Sequence, residues 1–139
     1  MLVGDGPERT EVLRLCRELN ICDKVSFEGF RTDIPRILNN VDLLVAPSKV
    51  ESFCLVLIEG MACEVPVVST NAGGIPEVVE HGKEGLLFND DNLDELAQAM
   101  IELLTNKERA KKMAQAGRKK VLEKFSVDKI VPQYEQCYP

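Results

Sequence analysis

Two glutamates, Glu51 and Glu59, are separated by seven residues in the segment P-S-K-V-E-S-F-C-L-V-L-I-E-G-M-A at 47–62. This segment predicts a loop at 48–52 that leads into a helix from about residue 53 to 62. The N–H groups of a first helical turn lack partners inside the helix, so those of residues 52–55 would be free to bind a phosphate. Glu59 lies about two turns further on among apolar residues, where sugar hydroxyls could donate to its carboxylate.

An isolated pair of glutamates at this spacing more often has a structural explanation. Glu51 would interact favourably with the positive end of the helix dipole, and Glu59 would be a solvated helical residue. The pair alone therefore does not distinguish a ligand site from an ordinary helix start. The residues around the pair are needed for that distinction.

The elements around this loop are typical of one α/β domain over residues 1–139. Short aliphatic or β-branched runs predict five strands, at 1–4, 25–28, 41–46, 65–69 and 85–88. Helical patterns follow each run. They lie at a segment including 12–19 and at 33–39, 53–62, 75–80, 93–104, 107–125 and beyond 126. Pro132 is expected to cut the last helix. This alternation predicts a Rossmann-like parallel sheet flanked by helices, with ligands bound beyond the carboxyl ends of its strands.

Composition excludes several classes of protein. The 139 residues are 45% hydrophobic and 29% charged, a balance that fits one globular domain. The net charge of −6 argues against nucleic acid and against an anionic membrane as partners. Apolar runs are far shorter than the ~20 residues that span a bilayer, and no secretory signal is expected. The odd count of five cysteines, without C-x-x-C, indicates reduced thiols in a cytoplasmic protein and no zinc site.

The surroundings of the glutamates resemble a known family. Residues 47–79 are similar to the signature P-S-x-x-E-S-F-G-L-V-x-L-E-A-M-A-C-G-x-P-V-x-x-T-x-x-G-G-I-P-E of family 4 glycosyltransferases, which have the GT-B fold. The runs V-G-D-G-P-E at 3–8 and V-S-F-E-G at 25–29 also resemble this family, so the likeness spans nearly the whole chain. The segment at 129–135 resembles the branch that joins N-acetylglucosamine to L-malate in bacillithiol synthesis, a narrower likeness on one short helix.

The resemblance implies a role for each matching position. Glu51, Ser52 and Phe53 would contact the donor sugar, and the amides of Cys54 and Leu55 would face the diphosphate. Glu59 would bind the ribose hydroxyls. The loop formed by Gly29, Phe30 and Arg31 would lie against the nucleobase. The donor would be a UDP-sugar or another nucleotide sugar, held without an essential metal or other cofactor.

Three departures from the family pattern replace a glycine or introduce one. Cys54 and Glu64 stand where the family has glycines, and Gly60 stands where it has alanine. A side chain at Cys54 could narrow the approach to the diphosphate, and residue 64 is expected to need a left-handed backbone. Gly60 should cost ~1 kcal/mol of helix propensity.

The resemblance also implies that this chain is the C-terminal half of a GT-B fold. The N-terminal acceptor domain would be missing, as would the first strand and helix of this half with their phosphate-neutralising arginine and lysine. Exposed strand edges would then favour either a homo-oligomer or a sheet that closes up over the gap. We expect the donor-binding half of a retaining enzyme that transfers a hexose or N-acetylhexosamine and is inactive alone. The alternatives are a non-catalytic nucleotide-sugar binding module and a structural fragment that binds nothing.

Three other features receive structural interpretations. Eight basic residues at 107–124 could suggest nucleic acid or a membrane, but an apolar seam at helical spacing predicts that this helix docks on the sheet. The Gly4-x-Gly6 pattern lacks the third glycine of a dinucleotide site and is followed at once by Pro7. His81, the single histidine, is interpreted as a turn residue without a catalytic partner.

Overall fold

The computed structural model describes residues 1–137 as two compact units, Met1–Ile34 and the remainder from Pro35 onward. The first unit contains helix α1 (Arg9–Glu18) and a 3-10 turn (Cys22–Lys24). The predicted strands at 1–4 and 25–28 are reduced to one parallel bridge between Leu2 and Phe27. Two residues further on, Gly29 takes a left-handed φ of 62° that an extended strand cannot contain, so the ladder does not continue.

The second unit is built on a three-stranded parallel sheet in the order β1 (Leu44–Ala46), β2 (Val67–Thr70), β3 (Leu86–Phe88). Leu44 pairs with Val67, and Val68 pairs with Leu86. A helix lies on each connection, namely α3 (Leu55–Ala62) between β1 and β2 and α4 (Ile75–Val78) between β2 and β3. The prediction of a parallel sheet flanked by helices is therefore confirmed.

The remaining helices are α2 (Ile34–Leu38), α5 (Leu93–Thr105), α6 (Lys107–Lys124) and α7 (Val127–Glu135). Pro132 lies inside α7, so the expectation that it cuts the last helix is wrong. Proline removes one N–H from a helix and clashes with one carbonyl, and here a nine-residue helix tolerates that loss.

The core has one hydrophobic cluster on each face of the sheet. Neighbouring residues of a strand point to opposite faces, so Val67 packs with Leu57 and Met61 of α3, whereas Val68 packs with Leu103 of α5. The four residues of β2 are all buried, which makes it the central strand in packing as well as in order.

Helix α6 buries its predicted apolar seam, but it packs chiefly against α3 rather than directly on the sheet as predicted. Its buried residues recur at helical spacing, and they are Ala110, Met113, Ala114, Gly117 and Val121. Among residues 1–137, no helix is both long enough and apolar enough to cross a membrane.

Candidate functional site

The loop after β1 ends at Cys54, which has the left-handed conformation φ 61°, ψ 65°. Helix α3 begins at the next residue, so this single turn redirects the chain from the strand end into the helix. The side chain of Cys54 is only 4% exposed. Burial, followed by the negative charge of Glu51, raises the pKa of the Cys54 thiol. The thiol is therefore a neutral packing group at the turn.

Glu51 folds back onto the loop that it belongs to. Its Oε1 accepts hydrogen bonds from the N–H of Ser52 at 3.0 Å and, at 3.5 Å, from the N–H of Phe53. The expectation that these two amides are free is therefore wrong, because the carboxylate occupies them. A negatively charged group nevertheless lies at the predicted anion position, since a carboxylate is attracted to the same converging N–H groups as a phosphate.

The exposed flank of α3 carries the second glutamate. Leu55 is 66% exposed and Val56 is also exposed, and Glu59 lies one helical turn beyond Leu55. Residues four apart share one side of a helix, so a carboxylate and a large apolar side chain lie together in solvent. The prediction that Glu59 sits at a partly apolar flank agrees with this arrangement.

Phe53 packs against the end of α6. Its ring meets that of Phe125 edge-to-face, with centroids 5.7 Å apart and planes at 80°. This geometry is favourable for aromatic pairs and limits the freedom of the loop between Glu51 and Cys54.

In the first unit, the three residues predicted to lie against a nucleobase have different environments. Gly29 is left-handed, and the ring of Phe30 is 82% exposed. Arg31 donates to both carboxylate oxygens of Asp33, at 2.8 and 2.7 Å, and to Glu28 at 2.8 Å. The hydrogen bonds to Asp33 raise the pKa of Arg31. Phe30 is thus available for stacking, while the guanidinium of Arg31 is held by two acids.

The sequence did not predict one cleft of the second unit, which lies beside β3 and α5 and has a volume of about 620 Å³. Its polar groups pair largely with one another. Glu95 accepts from the N–H of Asn89 at 2.9 Å, and Glu102 forms an ion pair with Arg109. His81 accepts the N–H of Leu87 on Nδ1 at 3.0 Å, which agrees with its interpretation as a turn residue. No signal in these residues distinguishes the cleft from ordinary surface structure.

Comparison with known proteins decides the family. The sequence model described as "Glycosyl transferases group 1" matches residues 1–120. The chain belongs to the group 1 glycosyl transferases. The resemblance predicted from 47–79 is thereby confirmed.

One relative in the group is the N-acetyl-alpha-D-glucosaminyl L-malate synthase of Bacillus anthracis, 43% identical over 99% of this chain and 36% of its own length. A GDP-mannose-dependent mannosyltransferase of Mycobacterium tuberculosis is 33% identical over 94% of this chain and 36% of its own length. The chain therefore spans little more than a third of these relatives.

Two solved structures share the fold of this chain. HepE from Anabaena, solved with UDP and glucose, has a TM-score of 0.94 and 32% identity, over 98% of this chain and 39% of HepE. The C-terminal domain of a group 1 glycosyl transferase (LpcC) from Francisella tularensis has a TM-score of 0.78 and 25% identity, over 86% of this chain and 63% of that domain. The parallel sheet and its helices thus match the C-terminal half of GT-B glycosyltransferases.

Proposed function

We propose that this chain binds a nucleotide-sugar donor as one half of a retaining glycosyltransferase. The observation that carries the proposal is the turn at Cys54, which presents Glu51 and the start of α3 at the carboxyl end of β1. A matching neighbour, HepE, was solved in complex with UDP-glucose, which supports a UDP-sugar as the donor. A hexose or an N-acetylhexosamine would be transferred.

In this proposal each residue acts through a group that the structure displays. Glu51, Ser52 and Phe53 contact the donor sugar, and sugar hydroxyls compete with the loop amides for the Glu51 carboxylate. The amides of Cys54 and Leu55 face the diphosphate at the start of α3, where helix geometry leaves N–H groups unpaired. Glu59 accepts the ribose hydroxyls. Gly29, Phe30 and Arg31 lie against the nucleobase, with the exposed ring of Phe30 as the stacking surface.

Transfer itself requires more than this chain. The acceptor would be bound by the remaining part of the two-domain enzyme, since this chain spans only 36–39% of the relatives named above. We propose that the donor is held without a metal ion. We also place the protein in the cytoplasm, because all five cysteines are free, which suits a reducing compartment.

Titration with UDP and with UDP-N-acetylglucosamine tests donor binding. We expect saturable binding that weakens about 10- to 150-fold in Glu59→Ala, because hydrogen bonds to a charged group are worth about 1.5–3 kcal/mol. Glu108→Ala is the matched control, since Glu108 is an exposed helical glutamate that forms an ion pair with Lys112 across one turn of α6. Flat titrations of the unaltered chain would refute the proposal and favour a structural fragment that binds nothing.

A non-catalytic binding module is the second candidate, favoured by the side chains at Cys54 and Glu64. Both residues occupy left-handed positions, with φ 61° and 58°, that the family fills with glycine. Mixing this chain with the N-terminal half of the Bacillus anthracis relative separates the candidates. Restored transfer to L-malate would support half of an enzyme, whereas donor binding without transfer would support the module.

We further propose that the chain self-associates through the outer edge of β1. Within residues 1–137, β1 pairs only with β2, and its other edge carries no strand. An edge of this kind offers N–H and C=O groups to another strand.

A further inference from the structure

Three hydrogen-bond donors bind backbone carbonyls of residues 46–51, which form the end of β1 and the loop that follows it. The Ser69 hydroxyl donates to the carbonyl of Ala46 at 2.8 Å, and the Thr70 hydroxyl donates to the carbonyl of Ser48 at 2.5 Å. The third bond runs from the N–H of Gly74 to the carbonyl of Glu51 at 3.1 Å. The acceptors are spaced two and three residues apart, so the loop is held along its length.

Both hydroxyls are buried at the carboxyl end of β2, where an unpaired polar group would be costly. The glycines add a second constraint. A Cβ on Gly73 would collide with the carbonyl oxygen of Glu51, and one on Gly74 would collide with that of Ser52. The 73–74 backbone therefore lies directly against the backbone of the loop, at a distance that no side chain permits.

Peptide geometry connects these contacts to the site. The carbonyl of Glu51 and the N–H of Ser52 belong to one planar trans peptide and point in opposite directions. A carbonyl held down by Gly74 therefore turns the N–H of Ser52 outward, toward the Glu51 carboxylate that it binds at 3.0 Å. The same relation connects the carbonyl of Ser52, against Gly74, with the N–H of Phe53.

We propose that Thr70 and Gly74 are positioning residues of the donor site, a role that rests on the donor-binding function proposed above. They act through the loop rather than by touching the donor. They orient the amides of Ser52 and Phe53 before the nucleotide sugar arrives, so that binding need not order the loop.

The test combines substitutions that remove the support with matched substitutions that do not. Thr70→Val removes the hydroxyl and keeps the shape of the side chain, and Thr70→Ser restores the hydroxyl. Thr105→Val is the control, because the Thr105 hydroxyl also donates to a carbonyl, that of Ile101, but at the exposed end of α5. Gly74→Ala adds the clashing Cβ, and its control is Gly6→Ala, where a Cβ meets nothing within 4 Å.

Amide hydrogen exchange of residues 47–55 in the whole chain is measured together with UDP-glucose and UMP binding. We expect Thr70→Val and Gly74→Ala to accelerate exchange in this loop and to weaken UDP-glucose binding about three- to tenfold, the value of a net hydrogen bond or two. UMP, which lacks the sugar and the second phosphate, should be affected less. Thr70→Ser and the two controls should stay within about twofold of the unaltered chain.

Unchanged amide exchange at 47–55 in both Thr70→Val and Gly74→Ala would overturn the positioning role. It would do so even if the unaltered chain binds UDP-glucose as proposed. Equal losses of UMP and UDP-glucose affinity would also overturn it, because they indicate general destabilisation. If the unaltered chain binds no UDP-glucose, the proposed function and the positioning role both fail, and no variant is needed to obtain that result. Should Thr70→Val fail to fold, Gly74→Ala carries the same test with the buried hydroxyl intact.

Discussion

At the scale of single residues, Cys54 connects the strand end to α3 at some cost. A non-glycine residue in the left-handed region is less stable by about 1 kcal/mol. The buried thiol offsets part of that cost by packing, since free cysteine behaves as a small apolar side chain. A thiol is therefore tolerated where the family pattern has glycine, but it occupies space beside the amides of the donor loop.

The raised pKa of the Cys54 thiol predicts a pH dependence of stability. The folded chain holds this proton more tightly than the unfolded chain does. The stabilisation is therefore complete below the ordinary thiol pKa of about 8.5 and is lost as pH rises through the folded value. Denaturant unfolding from about pH 8 to pH 10 should show a steeper loss of stability for the unaltered chain than for Cys54→Ala.

Cys22→Ala serves as the control for this measurement, because Cys22 is exposed and the variant retains Cys54. It should keep the slope of the unaltered chain. Parallel curves for the unaltered chain and Cys54→Ala would show that ionisation of this thiol is not coupled to folding.

At the scale of elements, α6 is held against the turn before β3 by a buried ion pair. Lys120 of α6, with a side chain 14% exposed, reaches Glu84, with a side chain 3% exposed, at 3.3 Å. Glu84 also accepts the N–H of Glu80 at 2.8 Å and forms an ion pair with Lys83 at 3.6 Å. The carboxylate therefore organises the 80–84 turn as well as the helix docking.

Glu84→Ala is expected to lower the free energy of unfolding by about 3 kcal/mol, because it leaves the Lys120 ammonium buried without its partner. Glu84→Leu combined with Lys120→Met should recover much of that loss, since it removes both charges. Glu123→Ala breaks the exposed pair with Lys119 and should cost less than about 1 kcal/mol. A cost for Glu84→Ala no larger than that of Glu123→Ala would show that the pair does not anchor α6. Denaturant titration measures all three.

At the scale of the whole molecule, the open edge of β1 predicts self-association. The N–H of Leu44 donates to Pro66 toward β2, so that of the next residue, Val45, points to the outer edge. Light scattering should therefore show a mass that grows with protein concentration. Val45→Pro removes the outward N–H, which proline tolerates on an edge strand, and should reduce the association. A monodisperse monomer at high concentration would contradict this prediction, as would an oligomer unaffected by Val45→Pro.

Local patterns in the sequence were sufficient for the three-stranded sheet of the second unit and for the family. Apolar runs followed by helical patterns predicted β1, β2 and β3 in a parallel sheet, because such runs are buried on both faces. The signature at 47–79 identified the family, and the structure confirms the left-handed backbone predicted at Glu64. The left-handed conformation of Cys54 was not predicted. A sequence displays such features because each depends on a few consecutive residues. They include the local backbone conformation, the periodicity of apolar residues and the start of a helix.

Contacts between distant residues were decided only by the tertiary structure. A Cβ on Gly60 would meet Leu44 Cδ2 at 2.5 Å, so the glycine that the sequence shows only as a weak helix residue permits α3 to pack on β1. The support that Thr70 and Gly74 give to the loop after β1 was equally invisible. Each depends on which carbonyl or side chain lies opposite across the fold, and that is determined by the packing of α3 and the strands rather than by any residue's neighbours in the chain.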